Sequence, residues 1–548
     1  MKRSLKHLES TLFDLLVIGS GIYGLACAYD AAQRGFNIAL IDRADFGSAT
    51  SMNHLKTGHG GLRSLQTANF WRAREAINER HALARIAPLF LRPLPFLVQT
   101  THKFSRSQSA FRAAFIVDSL IGCDRNSDLP PELHLPAGRI ISSAECKQLF
   151  GGLTTGSQLT GGALWYDYQI HQAERLNIAF ALGAAKEGAC LANYIEATDP
   201  IFSDKRIEGV HARDVLTGRS LEIRASLTID TTGPNAGKLV SMLGTQHNPV
   251  LQKAINVVTS RPMRDPSLGV SGPDGGLFLL ISWLGKAMLG TWHLPGPADP
   301  TDTSVKEEEL LGFIAHANKS FPGLHLGLNE ISLVHHGLVP AQQHRDGHVT
   351  QTLSPRITDH ASEGITGAIS VFGVKYTTAR GVAERVINLA SRKLKLSIQS
   401  SQTGTTILPG AGLLDDRVSF ESARRAGLTA NSEQHLIATY GDRSHLVLEC
   451  AAGRQDLLTA IVPTSLVIGA EIIYAVRHEM ACTLLDVTVR RTSLGIAGHP
   501  GTQAASACSE LLKEEFNWTP SRTRQELAAL DAHYAPLSNL KIPKHHGT

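Results

Sequence analysis

The chain reads as an α/β fold: a domain of parallel strands and helices, an inserted antiparallel-sheet domain, and a C-terminal helical domain. Three observations predict this. Residues 14–42, DLLVIGSGIYGLACAYDAAQRGFNIALID, set a glycine turn between two short apolar runs. Residues 240–335 carry alternating apolar runs separated by Pro/Gly/Asp-rich turns. From 417 to 530 the periodicity is mainly helical.

In the opening stretch, residues 15–18 read as a buried parallel strand, followed by Gly19, Gly21 and Gly24 in GxGxxG spacing. An Ala-rich helix over 25–33 and a second apolar run at 38–41 complete a Rossmann-type unit, which Asp42 ends. Gly19 permits the tight turn, Gly21 admits a pyrophosphate, and Gly24 lets helix and strand approach. The helix N-terminus offers N–H groups to phosphate, and Asp42 can accept from a ribose diol. This unit alone could serve NAD or FAD.

The composition is that of an ordinary globular protein, 43% hydrophobic and 19% charged over 548 residues, long enough for two or three domains. A net charge of +4 argues against a nucleic-acid partner. Cys27, Cys123, Cys146, Cys190, Cys450, Cys482 and Cys508 lack CxxC spacing, so neither a disulfide framework nor a metal site is expected and a reducing cytoplasm fits best. The basic N-terminus runs straight into the first strand, and no apolar stretch of about 18 residues exists. A cytoplasmic protein, at most peripheral on the membrane, is expected.

Residues 44–66 are small and polar, an ordered loop in which Lys56, His59 and Arg63 stand among Gly58, Gly60 and Gly61. The glycine fingerprint, the acid, Asp45, ATS at 49–51, Lys56 and HGGLR at 59–63 together resemble the FAD-dependent glycerol-3-phosphate dehydrogenases, within the amino-acid-oxidase-like flavoproteins. The resemblance implies FAD rather than NAD. Its implied cofactor set here is Gly19, Gly21, Ile22, Tyr23, Gly24, Asp42, Arg43, Thr50, Ser51, Lys56, His59, Gly60 and Gly61.

Residues 70–86 follow as a helix with a polar Arg/Glu face. The run 89–99, with Pro93 and Pro95, reads as an edge strand. Residues 103–121 are spaced for a helix. It either packs on its own domain, the favoured reading, or lies on a membrane with Lys103, Arg106 and Arg112 at the headgroups. Residues 161–175 precede a helix to 186, and Asp167, Arg175 and Leu176 match the family. Strands follow at 192–197 and 207–210. In the flavoproteins the chain resembles, the strand in 227–237 returns beneath the adenosine half of FAD, so the resemblance adds Thr232 and Gly233. Strands at 255–258, 277–282 and 288–291 and a helix at 306–317 form the substrate layer. AISVFGVKYTTAR, 368–380, resembles the family's SVFGGKLTTYR, with Val374 at the second glycine. Such a strand-to-helix turn aims amides at the flavin ring, which becomes anionic on reduction, so Gly373, Val374, Lys375 and Thr377 join the cofactor set. A polar linker spans 399–413. Residues 470–495 are similar to the family's C-terminal helical domain; its Arg490–Arg491–Thr492 end either packs on the cofactor domain or, as charged helix ends more often are, is solvated.

The expected division is 1–95, 150–238 and 345–400 for FAD, 96–149 and 239–344 for substrate, and 410–548 for the helical domain. The implied reaction removes a hydride from the carbinol of glycerol 3-phosphate or a small polyol phosphate to flavin N5, while a base takes the hydroxyl proton. The implied partners are a small anionic substrate and a quinone or other acceptor, with a homodimer left open. Arg63 offers a planar fork to phosphate and Lys375 a point charge.

The substrate end departs from the family pattern. Asn256 stands where the family has a histidine, and Trp292 and His293 replace a small residue and an acid. Val339 takes the place of a phosphate-holding arginine, preceded by His335 and His336; Arg356 matches a second such arginine loosely. Losing one bidentate phosphate partner costs roughly 1.5–3 kcal/mol, about ten- to a hundredfold in binding. The expected catalytic set is Arg63, Lys375, His293 and His336, with Asn256, Trp292 and Arg356 at the substrate. The alternatives are an oxidase or dehydrogenase of an amine, amino acid or hydroxy acid, and a non-catalytic flavoprotein.

Overall fold

Leu12–Ile18 sits at the centre of a parallel sheet, paired with Ser220–Asp230 on one side and Ile38–Ile41 on the other. Beyond Ser220–Asp230 come Ala368–Phe372, parallel, and Arg356–Asp359, antiparallel; beyond Ile38–Ile41 comes Cys190–Ala192. Leu15, Leu16 and Val17 are fully buried, as a strand covered on both faces requires. Helices Ile22–Gln33, Ala173–Lys186 and Ala379–Leu394 cover one face through Leu25, Leu176 and Val382. Leu8, Phe13, Val210 and Ile223 close the other. The computed structural model describes residues 1–65, 69–153, 159–242, 249–302, 304–414 and 420–538.

A second sheet runs from Val349–Gln351 through Ile331–Gln343, Leu251–Pro262, Lys286–His293, Leu277–Trp283 and Ser267–Ser271 to Leu91–Thr100, Gly161–Ile170 and Thr57–Gly58. It is antiparallel except where Ser267–Ser271 runs parallel to Leu91–Thr100. The run with Pro93 and Pro95 is therefore interior, not an edge. The prolines are tolerated because Ser267–Ser271 pairs only with residues 96–98, leaving the proline half with Gly161–Ile170 as its one neighbour.

Helix Phe70–Ile86 forms over the span its periodicity predicts. Helix Gln108–Ile121 starts on the Ser107 side chain, which accepts the Ala110 N–H, and buries only Phe115. The helix packs on its own domain, as favoured, yet Phe104 (91% exposed), Leu120 (71%) and Ile116 (63%) face outward. The C-terminal part is helical, with Ala430–Tyr440, Gly469–Glu479, Thr502–Phe516 and Pro520–Ser538. It docks on the parallel-sheet domain through Asp45, which receives Arg490 and Arg491. No described helix is long and apolar enough to cross a membrane.

Candidate active site

One cavity of about 1410 Å³ joins the glycine turn to the second sheet. At its first end Gly19, Gly21, Ile22 and Tyr23 line the wall with Asp42, Arg43, Thr50, Ser51, Thr232 and Gly233. Gly19 has φ +97°, and a Cβ there would sit 2.8 Å from the Thr231 carbonyl oxygen. Gly24 faces away from the cavity; a Cβ on it would lie 1.8 Å from the Gly19 carbonyl oxygen, so the close crossing of strand and helix depends on glycine.

Asp42 accepts from Ser20 N–H at 2.6 Å, Ser20 Oγ at 2.8 Å and Ala44 N–H at 2.8 Å. Three of roughly four carboxylate acceptor positions are thus used, leaving capacity for a ribose hydroxyl. Burial nevertheless pushes its pKa up, against the pull of the Ser20 and Ala44 donors. The first helical amide, Ile22 N–H, donates to Ser51 Oγ at 2.9 Å, which ties the ATS segment to the phosphate-facing helix end. A cleft built of a glycine turn, a helix start and an acid fits a dinucleotide.

At the far end stand Asn256, Thr291, His293, His336, Val339, Gln351, Gly373, Val374 and Lys375. Asn256 Oδ1 accepts from Thr291 Oγ1 at 2.7 Å, and His293 contacts Gln351 through their side-chain nitrogens. Strand alternation selects the inward residues: Ala254 opposes His293 and both line the cavity, whereas Ile255 opposes Trp292. His336 also lines the cavity, although the register sets it opposite Ile255, so alternation alone does not select it; its neighbour His335 is buried against Trp283.

Several expected site residues go elsewhere. Trp292 packs on the opposite face of its strand against Phe313 and His316, because its strand position has the parity of buried Ile255. Lys56 is fully buried; its Nζ donates to Glu174 at 2.5 Å and to the Met52 carbonyl at 2.7 Å, and it does not reach the cavity. Gly60 N–H donates to Asp167 at 2.7 Å, so it fixes the loop rather than lining the cavity, as His59 and Gly61 do. Thr377 is buried outside the lining. Arg356 lies on the edge strand with its guanidinium over the Phe372 ring, also outside the lining. The Arg63 side chain lies outside the described residues.

Asp167, matched to the family in sequence, organises the HGG loop. It accepts from Gly60, from Arg80 and from Trp165 Nε1. Burial opposes its charge, but His59 and Arg80 win and hold its pKa below the usual carboxylate range.

Gln351 and His54 are among the lining residues that no motif marks. Gln351 sits in a short strand without a distinctive pattern. His54 lies within the ATS-to-Lys56 segment, where only its type could have flagged it. Its Nδ1 accepts the Lys56 N–H at 3.0 Å, and its ring stacks on Tyr376 at 4.7 Å. Burial, then the charge of Lys56, hold its pKa well below the usual value, so it is a neutral imidazole.

Comparison with known proteins agrees with this geometry. Residues 14–389 match the family described as FAD dependent oxidoreductase, and residues 401–523 match the C-terminal domain of alpha-glycerophosphate oxidase. A glycerol-3-phosphate dehydrogenase of Synechocystis is 29% identical over 96% of this chain and 97% of its own. The mitochondrial glycerol-3-phosphate dehydrogenase of Bos taurus is 30% identical over 94% of this chain and 72% of its own. The solved structure of the Bacillus halodurans glycerol-3-phosphate dehydrogenase complexed with FAD superposes with a TM-score of 0.77 at 23% identity, covering 97% of this chain and 96% of that one. The chain is an FAD-dependent oxidoreductase and belongs to the glycerol-3-phosphate dehydrogenase family.

Proposed function

We propose that this chain oxidises glycerol 3-phosphate, or a closely related small polyol phosphate, at its carbinol carbon and passes the electrons to a quinone. The observation that carries this reading is the single cavity joining the dinucleotide end, Gly19 to Asp42, with the polar end, Asn256 to Lys375. FAD, when bound, supplies the acceptor for the hydride that leaves the carbinol carbon. Gly19, Gly21, Ile22, Asp42, Ser51 and Thr232 hold it, and Lys375 supplies positive charge for the anionic substrate. Arg63 shares that task by its place in the HGGLR motif. Asn256, fixed by Thr291, orients the substrate hydroxyl, and His293 or His336 takes its proton.

Contact with a membrane surface is supported by the outward apolar residues Trp71 (85% exposed), Phe104, Ile116 and Leu120, with Lys103 and Arg112 on the same or adjoining segments. A lipid-dissolved quinone could reach the cavity from that side, since Phe104, Phe111 and Val117 also line it.

The test is anaerobic bleaching of the yellow protein. Glycerol 3-phosphate at millimolar concentration is expected to bleach the flavin, and glycerol or simple amines are not. Bleaching by amines alone would overturn the substrate assignment while leaving the cofactor untouched.

A further inference from the structure

The turn after Ala368–Phe372 presents the amides of Val374 and Lys375 at the cavity wall, where they would be expected to meet the flavin ring. They already have an acceptor within the protein. Tyr23 Oη accepts the Val374 N–H at 3.0 Å and the Lys375 N–H at 3.1 Å, and it donates to the Lys375 carbonyl at 2.7 Å. A phenol has one proton and two lone pairs, so this hydroxyl is fully used.

The arrangement is built in. The Tyr23 ring lies against the turn: a Cβ on Gly373 would fall 2.0 Å from Tyr23 Cε2, so the glycine there makes room for the tyrosine. Burial pushes the Tyr23 pKa up, against the two amides, and the group stays a neutral phenol. Tyr23 also stands at the start of helix Ile22–Gln33, so it ties the glycine turn to the loop carrying Lys375.

Amides aimed at a flavin favour the reduced, anionic form over the oxidised one, because charge-assisted hydrogen bonds are about twice as strong as neutral ones. Amides satisfied by a neutral phenol exert no such bias. We propose that Tyr23 is a positioning residue that withholds the Val374 and Lys375 amides from the flavin and so sets a low reduction potential for the bound cofactor. The inference rests on FAD as cofactor and is independent of the substrate.

The test is an anaerobic redox titration of FAD-loaded wild-type protein and the Tyr23→Phe variant, with oxidised FAD affinity measured on both. Freeing the two amides is expected to favour reduced over oxidised flavin by at least tenfold, which for a two-electron couple is a rise of about 30 mV. An unchanged or lowered potential overturns the proposal. So does an equal loss of affinity for both redox states, the signature of loop support alone. If the variant does not retain FAD, hydrogen exchange on the wild-type protein decides. The 374 and 375 amides are expected to be protected before FAD is added, as strongly as Ala368–Phe372. Protection that arises only on FAD loading means the flavin is their acceptor, and the proposal fails.

Discussion

Asp45 and Arg491 form a fully buried two-point ion pair, with Arg491 Nη1 and Nη2 at 2.7 and 2.8 Å from the two carboxylate oxygens. Arg490 donates to the same carboxylate at 2.6 Å. Asp45 lies just past the acid that ends the second strand, and the arginines lie in the C-terminal helical region. This contact fastens that region to the loop forming the cavity wall at Ser48–Ser51.

Asp45→Ala would leave the Arg491 guanidinium buried without its carboxylate and Arg490 with Asp486 alone, a loss on the order of 3–5 kcal/mol. The melting temperature measured by calorimetry should fall accordingly. FAD retention should weaken too, since the ATS segment follows directly. The pH dependence has a defined sign. Burial opposes the charge of Asp45, but Arg491 and Arg490 prevail and depress its pKa far below the ordinary carboxylate value. Its contribution is therefore present above about pH 4, the unfolded-state value, and is lost only as pH falls through the depressed folded value. Wild-type and Asp45→Ala stabilities should converge only in strong acid.

The His293→Ala/His336→Ala double variant should reduce the rate of flavin bleaching by at least ~100-fold, the scale of losing a positioned general base. Stopped-flow measurement with saturating substrate reads this directly. A rate within threefold of wild type would remove both histidines from the chemistry. The single variants identify which one matters: His293 is held by Gln351, and His336 stands on Ile331–Gln343, which Leu251–Pro262 separates from the strand of His293.

Trp292→Ala should leave KM within about twofold and lower stability by up to ~3 kcal/mol, because the indole fills the layer against Phe313 and His316. Steady-state kinetics and thermal unfolding separate the two effects. A KM rise of tenfold or more with unchanged stability would place the indole at the substrate after all.

These contrasts show what the chain makes legible. The glycine turn, Asp42 and the strand before Gly373 were readable because their chemistry depends on local backbone form, which short-range spacing encodes. Trp292 was not, because its direction depends on strand parity, and a one-residue difference sends a side chain to the opposite face. Lys56 stood in a motif beside the cofactor loop, yet its partner Glu174 is 118 residues away and draws it inward. Gln351 and His54 reach the cavity through tertiary placement alone. The docking of Arg491 on Asp45, 446 residues apart, had only a charged helix end to suggest it.

Val339→Arg is the sharpest test of the substrate end. Val339 lines the cavity on the strand that carries His336, opposite Gln252, at the position where the family pattern places a phosphate-holding arginine. Among the described residues near it, Lys253 is already committed to Asp302 and Glu309 at 2.8 Å each, so it brings little net charge to the pocket. A guanidinium at 339 would add one charge-assisted, two-point contact to a phosphate, worth roughly 1.5–3 kcal/mol. KM for glycerol 3-phosphate should fall about ten- to a hundredfold, while an unphosphorylated polyol should gain nothing. If KM for both compounds changes equally, the side chain at 339 does not read the phosphate. If KM for glycerol 3-phosphate rises instead, the valine is part of a pocket shaped for a less charged substrate.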